Sequence, residues 1–360
     1  MIASLPQQRK WWSKMGISCG QSLKFGVFDH LDDAGGDLRR QYEDRLGLVE
    51  ACDRAGFYAY HVAEHHGTPH GIAPSPNLFL SAVAQRTRRL RFGPMVMLLN
   101  LYHPLRAFEE ICMLDQMSGG RVELGIGKGA VPIELAFFGI TERDAQERYL
   151  EATGVVLSAM AGGTLNHHGR YFQLDDVPIT LSPVQRPHPP LWYGTTRPAT
   201  AAWAAENAWN IACYGTVSSV RAITDAFLAR WESIAKRGAA MPHIAMSRHI
   251  IVADTDADAW ALGVPAYARW FETLTHLWRQ RGVVPPPSLP STFGDAVAGG
   301  HCLAGSASTV REAILRQVQA TGINYLLCHV AFGDLCIEAS LRTVFAIATE
   351  IMPAVEEMVG

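Results

Sequence analysis

The 360-residue sequence has few charged residues and no long apolar run, and each shortage excludes a class of protein. Charged residues make up 18% of the chain and the net charge at pH 7 is −3. A nearly neutral chain without a basic stripe is a poor partner for nucleic acid. The longest apolar runs, such as 94–99, are far too short to cross a bilayer, and residues 9–13 precede no apolar segment of the kind that a secretory signal needs. We therefore expect neither a nucleic-acid nor a membrane partner.

Cysteine is also sparse, and its spacing is irregular. The seven cysteines include no Cys-x-x-Cys pair, so the sequence lacks the spacing of a zinc ribbon or of a disulfide framework. Scattered cysteines in odd number are typical of a reducing cytoplasm. We expect a cytoplasmic protein in which most cysteines are buried as small apolar residues.

The sequence does have enough apolar residues, 48%, for a large core, and from residue 23 onward short apolar runs alternate with helical patterns. Eight strands are predicted at 23–28, 57–62, 90–99, 121–126, 191–193, 209–213, 244–253 and 324–330. Helices are predicted at 38–55, 76–86, 104–117, 142–160, 199–207, 218–237, 257–281, 308–321 and 337–352. The strands lack clean alternation, as expected when both faces of a sheet are covered. Repeated βα units indicate an α/β fold with a closed (β/α)8 TIM barrel, with a doubly wound open sheet as the alternative.

Two segments interrupt this alternation. Residues 162–190 are rich in turn formers and contain short β patterns, which predicts an inserted hairpin beside the barrel mouth. Residues 282–300 contain three consecutive prolines and are predicted to form a long loop that could serve as a lid. Residues 1–22 show no periodicity and are predicted to be an N-terminal extension, so we expect 23–360 to form one domain.

The first candidate constellation is His61-Val-Ala-Glu64-His65-His66, which follows the second predicted strand. In a barrel the carboxyl ends of the strands form the active-site face. Glu64 and His65 are therefore candidates for proton transfer or for orienting a reactive intermediate. His70, four residues further on, could join them. The alternative is that some of these histidines only hydrogen-bond the loop, and for His61, His66 and His70 that alternative is at least as good.

The same segment also matches a zinc peptidase pattern, His61-x-x-Glu64-His65. That chemistry requires a helix, so that both histidines share one face. Here the aromatic and β-branched run 57–62 predicts a strand end instead, which disfavours a peptidase. A metal-dependent barrel hydrolase is a remote alternative, because Asp29 and His30 do not form the His-x-His pair common on the first strand of such enzymes.

Two further segments could bind a phosphate. In the glycine-rich run 119–129, glycines allow the backbone to approach a ligand closely and Lys128 adds a positive charge, although turns also use glycine. In the second segment a predicted strand runs into a helix that Pro198 opens, and a helix N-terminus attracts anions. An ordinary helix cap explains that segment equally well. The candidate residues of this segment are Gly194, Thr195, Thr196, Arg197 and Thr200.

Several segments occur together in an order that identifies a family. They are Gly56–His66, Arg91–Gly93, His103–Pro104, Leu114–Arg121, Leu124–Gly129, Gly169–Gln173, Pro187–Leu191, Gly305–Val310 and Thr321–Ile323. Singly each is moderate evidence, but in this order, over roughly residues 23–355, they resemble the bacterial luciferase-like flavin-dependent monooxygenases.

The resemblance implies a barrel that uses FMN and no metal. Reduced FMN, supplied by a separate flavin reductase, would react with O2 to give a flavin hydroperoxide that oxygenates a small organic substrate. Tyrosine, tryptophan and methionine residues near the mouth suggest an apolar or aromatic substrate, and we expect a homodimer. The alternatives are a deazaflavin (F420)-dependent oxidoreductase on the same barrel and a non-catalytic flavin-binding barrel.

The resemblance also implies roles for individual residues. His65 matches the catalytic histidine, with Glu64 beside it, and Lys128 and Thr200 match contacts to the flavin phosphate. Glu134 occupies an acidic position near the flavin entrance. A non-proline cis peptide that supports the flavin is expected between Met95 and Val96.

Other positions depart from the family pattern or match it weakly. Gly127 replaces the reactive cysteine of luciferase, which the wider family does not need. The family's phosphate-binding arginine is unassigned, since Gln146 aligns without a gap and Arg143 and Arg148 lie nearby. Luciferase itself has other residues where Thr195 and Thr196 stand.

Overall fold

The computed structural model describes residues 23–234, 239–285 and 289–359. The predicted extension, 1–22, lies outside the described residues. The strands are β1 Lys24–Asp29, β2 Ala59–Val62, β3 Arg91–Pro94, β4 Met97–Leu98, β5 Leu124–Gly127, β6 Gly163–His168, β7 Gln173–Ile179, β8 Leu191–Gly194, β9 Asn210–Cys213, β10 Ile244–Val252, β11 Cys302–Gly305 and β12 Tyr325–His329.

Thirteen α-helices pack around these strands within the described ranges. They are α1 Leu38–Ala55, α2 Pro76–Arg86, α3 Pro104–Ser118, α4 Pro132–Phe137, α5 Glu142–Met160, α6 Pro198–Glu206, α7 Val217–Ile234, α8 Asp256–Leu274, α9 His276–Gln280, α10 Phe293–Ala298, α11 Ala307–Thr321, α12 Ile337–Ala346 and α13 Met352–Val359. A short 3-10 turn, Leu99–Leu101, precedes α3, and a π-helical turn, Ile347–Ile351, joins α12 to α13.

The main sheet is parallel and closes on itself. Its strand order is β3-β2-β1-β12-β10-β9-β8-β5-β4, with β11 added beside β10. The closing contact is a parallel bridge between Phe92 in β3 and Val122, just before β5. Phe92 N–H donates to Arg121 O over 3.0 Å, and Glu123 N–H donates to Phe92 O over 2.8 Å. The predicted eight-stranded TIM barrel is therefore confirmed, with β3 and β4 as two parts of one predicted strand.

Local signals fix several helix ends where they were predicted. Asp37 precedes α1 and its carboxylate accepts the N–H of Arg39, while Gly56 ends the helix with φ 83°. A side-chain acceptor at the first position and a left-handed glycine after the last are the preferred caps of a helix. Proline stands at the start of α2, α3, α4 and α6, where its missing N–H costs no hydrogen bond.

The inserted hairpin is confirmed, whereas the predicted long loop is partly wrong. Strands β6 and β7 pair antiparallel, with Gly163 opposite Ile179. Within 282–300, however, residues 293–298 form α10, and β11 follows at once; residues 286–288 lie outside the described residues. β11 forms because its backbone pairs with the second half of β10, from His249 opposite Cys302 onward, and no local pattern encodes that pairing. Likewise the predicted helix 257–281 is two helices, α8 and α9, and α4 was not predicted.

The described part of the chain contains no helix that combines the length and apolar character needed to span a membrane. Its six cysteines are free, and five of them, all except Cys336, are buried. Most cysteines therefore do pack as small apolar residues, as expected.

Candidate active site

A cavity of about 460 Å³ opens at the carboxyl ends of β2, β4, β5 and β8. Its walls bring together residues from distant parts of the chain, including the whole predicted site. The eleven predicted residues on its walls are Glu64, His65, Met95, Val96, Lys128, Glu134, Gly194, Thr195, Thr196, Arg197 and Thr200. The peptide between Met95 and Val96 is cis, as the resemblance implies.

His65 is held by a carboxylate from the unpredicted helix α4. Its Nδ1 lies 3.0 Å from Glu134 Oε1, and the other oxygen, Oε2, accepts the backbone N–H of His66 over 3.2 Å. Glu134 is buried, 3% exposed, so this carboxylate is shielded from water. With Nδ1 directed at a carboxylate, Nε2 is the ring nitrogen available for other chemistry.

Glu64 lies on the cavity wall, but both of its oxygens are engaged. Oε1 pairs with His66 Nε2 over 2.9 Å, and Oε2 accepts the backbone N–H of Leu98 over 2.9 Å. Burial raises the pKa of Glu64. The carboxyl group thus ties the loop after β2 to β4, and His66 is its partner in that contact.

The helix N-terminus predicted at Pro198 is present at the start of α6, and one of the hydroxyls beside it is already engaged. Arg197 precedes the helix and its side chain does not cap the first turn. Thr195 is not free to bind a ligand through its hydroxyl, because Oγ1 accepts the N–H of Arg197 over 3.1 Å and lies 3.2 Å from Arg197 O. Among the ion pairs of the described residues, none involves Lys128 or Arg197. The cavity therefore has two cations beside an uncapped helix end.

Arg148, one of the three candidates for the phosphate-binding position, contacts the backbone beside the cavity. Arg148 Nε donates to Asn100 O over 2.8 Å, and Asn100 Nδ2 donates to Lys128 O over 2.7 Å. Its guanidinium lies 4.9 Å from the ring centroid of Phe172. None of the three candidates lines the cavity; they are Arg143, Gln146 and Arg148. Arg148 thus supports the backbone of Lys128 through Asn100.

The glycines of β5 also meet a packing constraint, and Gly127 lines the cavity. A Cβ atom on Gly125 would lie 2.3 Å from Pro94 O, and one on Gly127 would lie 2.5 Å from Val96 Cγ2. Side chains at these positions would collide with the neighbouring strand. Gly125 is therefore required by the close approach of the β5 and β3 backbones, while Gly127 makes room for the side chain of Val96.

A second cavity of about 270 Å³ adjoins the first and was missed by sequence reasoning. The two share Phe28, Met95, Val96, Gly194, Ala212 and Tyr214. None of the described residues on its walls carries a permanent charge, and its polar groups include two histidines and a serine. Residues that line only this second cavity are His30, Cys213, Ser247, Trp270, Leu274, Leu289, Leu327 and His329. The available signal was that His30 directly follows β1 and His329 ends β12, both at the mouth.

Histidine rings pack against one another between these cavities. Ring centroids are 4.2 Å apart for His30 and His70, and 4.4 Å apart for His249 and His329. Burial, with repulsion from neighbouring histidines, lowers the pKa of His30 and His70 well below the usual value and that of His249 to about 3. These rings are neutral near pH 7. His70 lies beside His65, with their ring centroids 4.9 Å apart.

His61 belongs to the barrel core and not to the site. It is fully buried, its ring centroid lies 5.3 Å from that of Trp192, and its Nε2 lies 3.4 Å from the hydroxyl of Tyr325. Burial lowers the pKa of His61 to about 3. His61 therefore packs in the barrel core and does not line the cavity.

Comparisons with known proteins agree with this geometry. The model of the family "Luciferase-like monooxygenase" matches residues 23–325. The Uncharacterized protein y4wF of Sinorhizobium fredii is 52% identical over 333 residues, covering 92% of this chain and 97% of its own. The oxygenase component of the flavin-dependent trigonelline monooxygenase of Acinetobacter baylyi is 26% identical over 247 residues, covering 66% of this chain and 67% of its own.

Solved structures share the whole barrel. Monooxygenase RslO1 from Streptomyces bottropensis superposes with a TM-score of 0.82 at 26% identity, covering 92% of this chain and 99% of its own. The oxygenating constituent of 3,6-diketocamphane monooxygenase from Pseudomonas putida, solved with FMN, gives 0.76 at 21% identity, covering 92% and 98%. The F420-dependent tetrahydromethanopterin reductase of Methanopyrus kandleri gives 0.70 at 15%, covering 93% and 99%. Because identity is below 25% in the last two comparisons, they show only that the fold is shared.

A closed parallel barrel with a polar cavity at the carboxyl ends of its strands defines an enzyme of the TIM-barrel class. The chain belongs to the luciferase-like monooxygenase family, and it is a flavin-dependent monooxygenase.

Proposed function

We propose that this enzyme is the oxygenase of a two-component system, which takes reduced FMN from a separate flavin reductase and uses O2 to oxygenate a small uncharged organic molecule. The observation that carries the proposal is one cavity lined both by an uncapped helix end with two cations and by a carboxylate-held histidine. Since the irregular cysteine spacing is typical of the cytoplasm, we place the enzyme there, and we expect a homodimer.

FMN fits the cavity through its phosphate. A phosphate is bound well where a helix N-terminus and a cation meet, and α6 begins beside Lys128 because β5 and β8 are adjacent strands. Thr200, in the first turn of α6, and Thr196 also line this region. A cofactor without a phosphate would leave these donors without a partner.

The isoalloxazine ring has apolar neighbours available as well. Phe28, Met95, Val96 and Leu98 lie on the walls of the same cavity. When bound, reduced FMN supplies the electrons that activate O2, and the protein supplies orientation and protection from water. One oxygen atom of O2 would enter the product and the other would leave as water.

His65 would hold or move a proton at Nε2 during oxygenation. Glu134 Oε1 lies against Nδ1, and a neutral ring that donates from Nδ1 to this carboxylate would have Nε2 as its proton acceptor. Glu64 acts as a positioning residue, because its oxygens are occupied by His66 and Leu98.

The second cavity would hold the substrate. It adjoins the proposed flavin site, and the described residues on its walls include no permanent charge, so a charged substrate would lose its hydration without a counter-ion. Apolar and aromatic walls favour an uncharged, largely apolar molecule. On this basis trigonelline, the substrate named for a relative that matches two thirds of the chain, is not expected to be the substrate here.

The proposal is tested by supplying reduced FMN from a flavin reductase together with oxygen-18-labelled O2 and a panel of small molecules. The panel pairs uncharged ring compounds with carboxylate analogues of similar size, and mass spectrometry detects products. We expect one labelled oxygen in a product from an uncharged compound. Substrate reduction without labelled oxygen, or a requirement for reduced F420, would show that the cofactor assignment is wrong.

A further inference from the structure

Three histidines converge between the two cavities, and the proposed function uses only one of them. One ring nitrogen from each of His30, His65 and His70 lies within 4.8 Å of the other two. The ring centroids are 4.2, 4.9 and 5.7 Å apart. Imidazoles on one tetrahedral metal ion, bound through 2.0–2.1 Å bonds, have centroids roughly 5 Å apart. The rings are therefore close to the spacing that a shared metal ion requires.

The hydrogen bond of His70 Nδ1 leaves a lone pair on Nε2. The hydroxyl of Thr273 donates its single proton to Trp270 O over 2.8 Å, so it must accept one from His70 Nδ1, 3.2 Å away. The proton of the neutral ring is then on Nδ1 and the lone pair on Nε2. His70 is 1% exposed, and its Nε2 has no hydrogen-bond partner among the described residues.

The other two histidines are prepared in a similar way. The bond from His65 Nδ1 to Glu134 is the carboxylate contact that commonly orients a metal-binding histidine and makes its free nitrogen more basic. His30 Nδ1 is buried and, within the described ranges, has no hydrogen-bond partner. Such an atom is open to an ion or to a water molecule.

We propose that His30, His65 and His70 bind one divalent transition-metal ion, of the class of Zn2+ or Co2+, with water as the fourth ligand. Imidazole suits zinc, copper, nickel and iron ions, and three histidines with an open position is an established coordination for zinc. The ion would coordinate Nε2 of His65, so this nitrogen could not take part in proton transfer. If the proposed function is correct, bound metal therefore slows oxygenation, but metal binding itself does not depend on that function.

The test is a titration of metal-free protein with Co2+, followed by visible absorption, and competition by Zn2+. We expect one ion per chain, bound with the spectrum of a tetrahedral site. His30→Gln and His70→Gln should each abolish that spectrum while circular dichroism shows an unchanged fold. Glu134→Gln should weaken binding by about 10–100-fold, the usual effect of removing a partner of a metal-binding histidine.

The matched control is His188→Gln, which removes a half-buried histidine before β8, away from the mouth; it should leave both stoichiometry and spectrum unchanged. A wild-type protein that binds no Co2+ would overturn the proposal. Binding that survives both His30→Gln and His70→Gln would overturn it too, and would leave the cluster as neutral histidines packed together.

Discussion

At the scale of single residues, the contact between Glu134 and His65 determines what the imidazole can do. The carboxylate holds Nδ1 and leaves Nε2 as the other ring nitrogen of a residue that lines the cavity. His65→Ala should retain the fold and FMN binding but reduce product formation by about 10²-fold or more, the scale for losing a general acid or base. Coupled turnover, with product and hydrogen peroxide both quantified, measures this, and peroxide should replace product.

The neighbouring histidine provides the control for that measurement. His66 contacts Glu64 and Phe138 and does not line the cavity, so His66→Ala should reduce product formation much less than His65→Ala. If the His65 variant remained fully coupled, the proton-transfer role would have to be assigned elsewhere on the cavity wall.

At the scale of elements, the approach of β5 to β3 depends on glycine. A methyl group on Gly125 would lie 2.3 Å from a backbone oxygen of Pro94, which cannot move without displacing the strand. Gly125→Ala should therefore lower the free energy of unfolding by about 1–3 kcal/mol, the usual cost of overpacking. Urea denaturation measures the change.

Gly47 in α1 is the matched control, since a Cβ atom there would meet nothing within 4 Å. Gly47→Ala should stabilise the protein by about 0.5–1 kcal/mol, because alanine loses less conformational freedom in a helix. Equal effects of the two substitutions would show that strand approach is not what requires glycine at position 125.

The same elements show how far sequence alone reaches. The predicted bounds of α1 agree with the structure, in which Asp37 and Gly56 cap the helix with local contacts. β11 was missed because its partner, β10, lies some 50 residues earlier, and only the closed barrel brings them together. His65 was found because strand ends form the mouth of a barrel, whereas Ser247, within β10, joins the second cavity only through tertiary packing.

At the scale of the whole molecule, buried neutral histidines make stability depend on pH. Burial holds the pKa of His61 at about 3 and that of His243 at about 4, against 6.5 for a free ring. Between these values the unfolded chain binds protons that the folded chain does not, so stability is greatest above pH 6.5 and falls as pH decreases toward 3. One such group contributes a slope of at most about 1.4 kcal/mol per pH unit.

His61→Leu should therefore flatten the fall in the free energy of unfolding between pH 6.5 and pH 4, whatever its effect on stability at neutral pH. Denaturant unfolding at several pH values measures the slope. His168 is exposed on β6, and His168→Gln should leave the slope as it is in the wild type. A slope that His61→Leu does not change would mean that this ring is protonated in the folded protein.

The central claim is that this cavity binds FMN by its phosphate, and the most direct measurement compares FMN with riboflavin in wild type and in Lys128→Ala. A charge-assisted contact is worth roughly 1.5–3 kcal/mol. The substitution should therefore weaken the binding free energy of FMN by that amount and leave the affinity for riboflavin unchanged. Arg143→Ala, an exposed position off the cavity, should alter neither affinity. Equal weakening of FMN and riboflavin by Lys128→Ala would contradict the account.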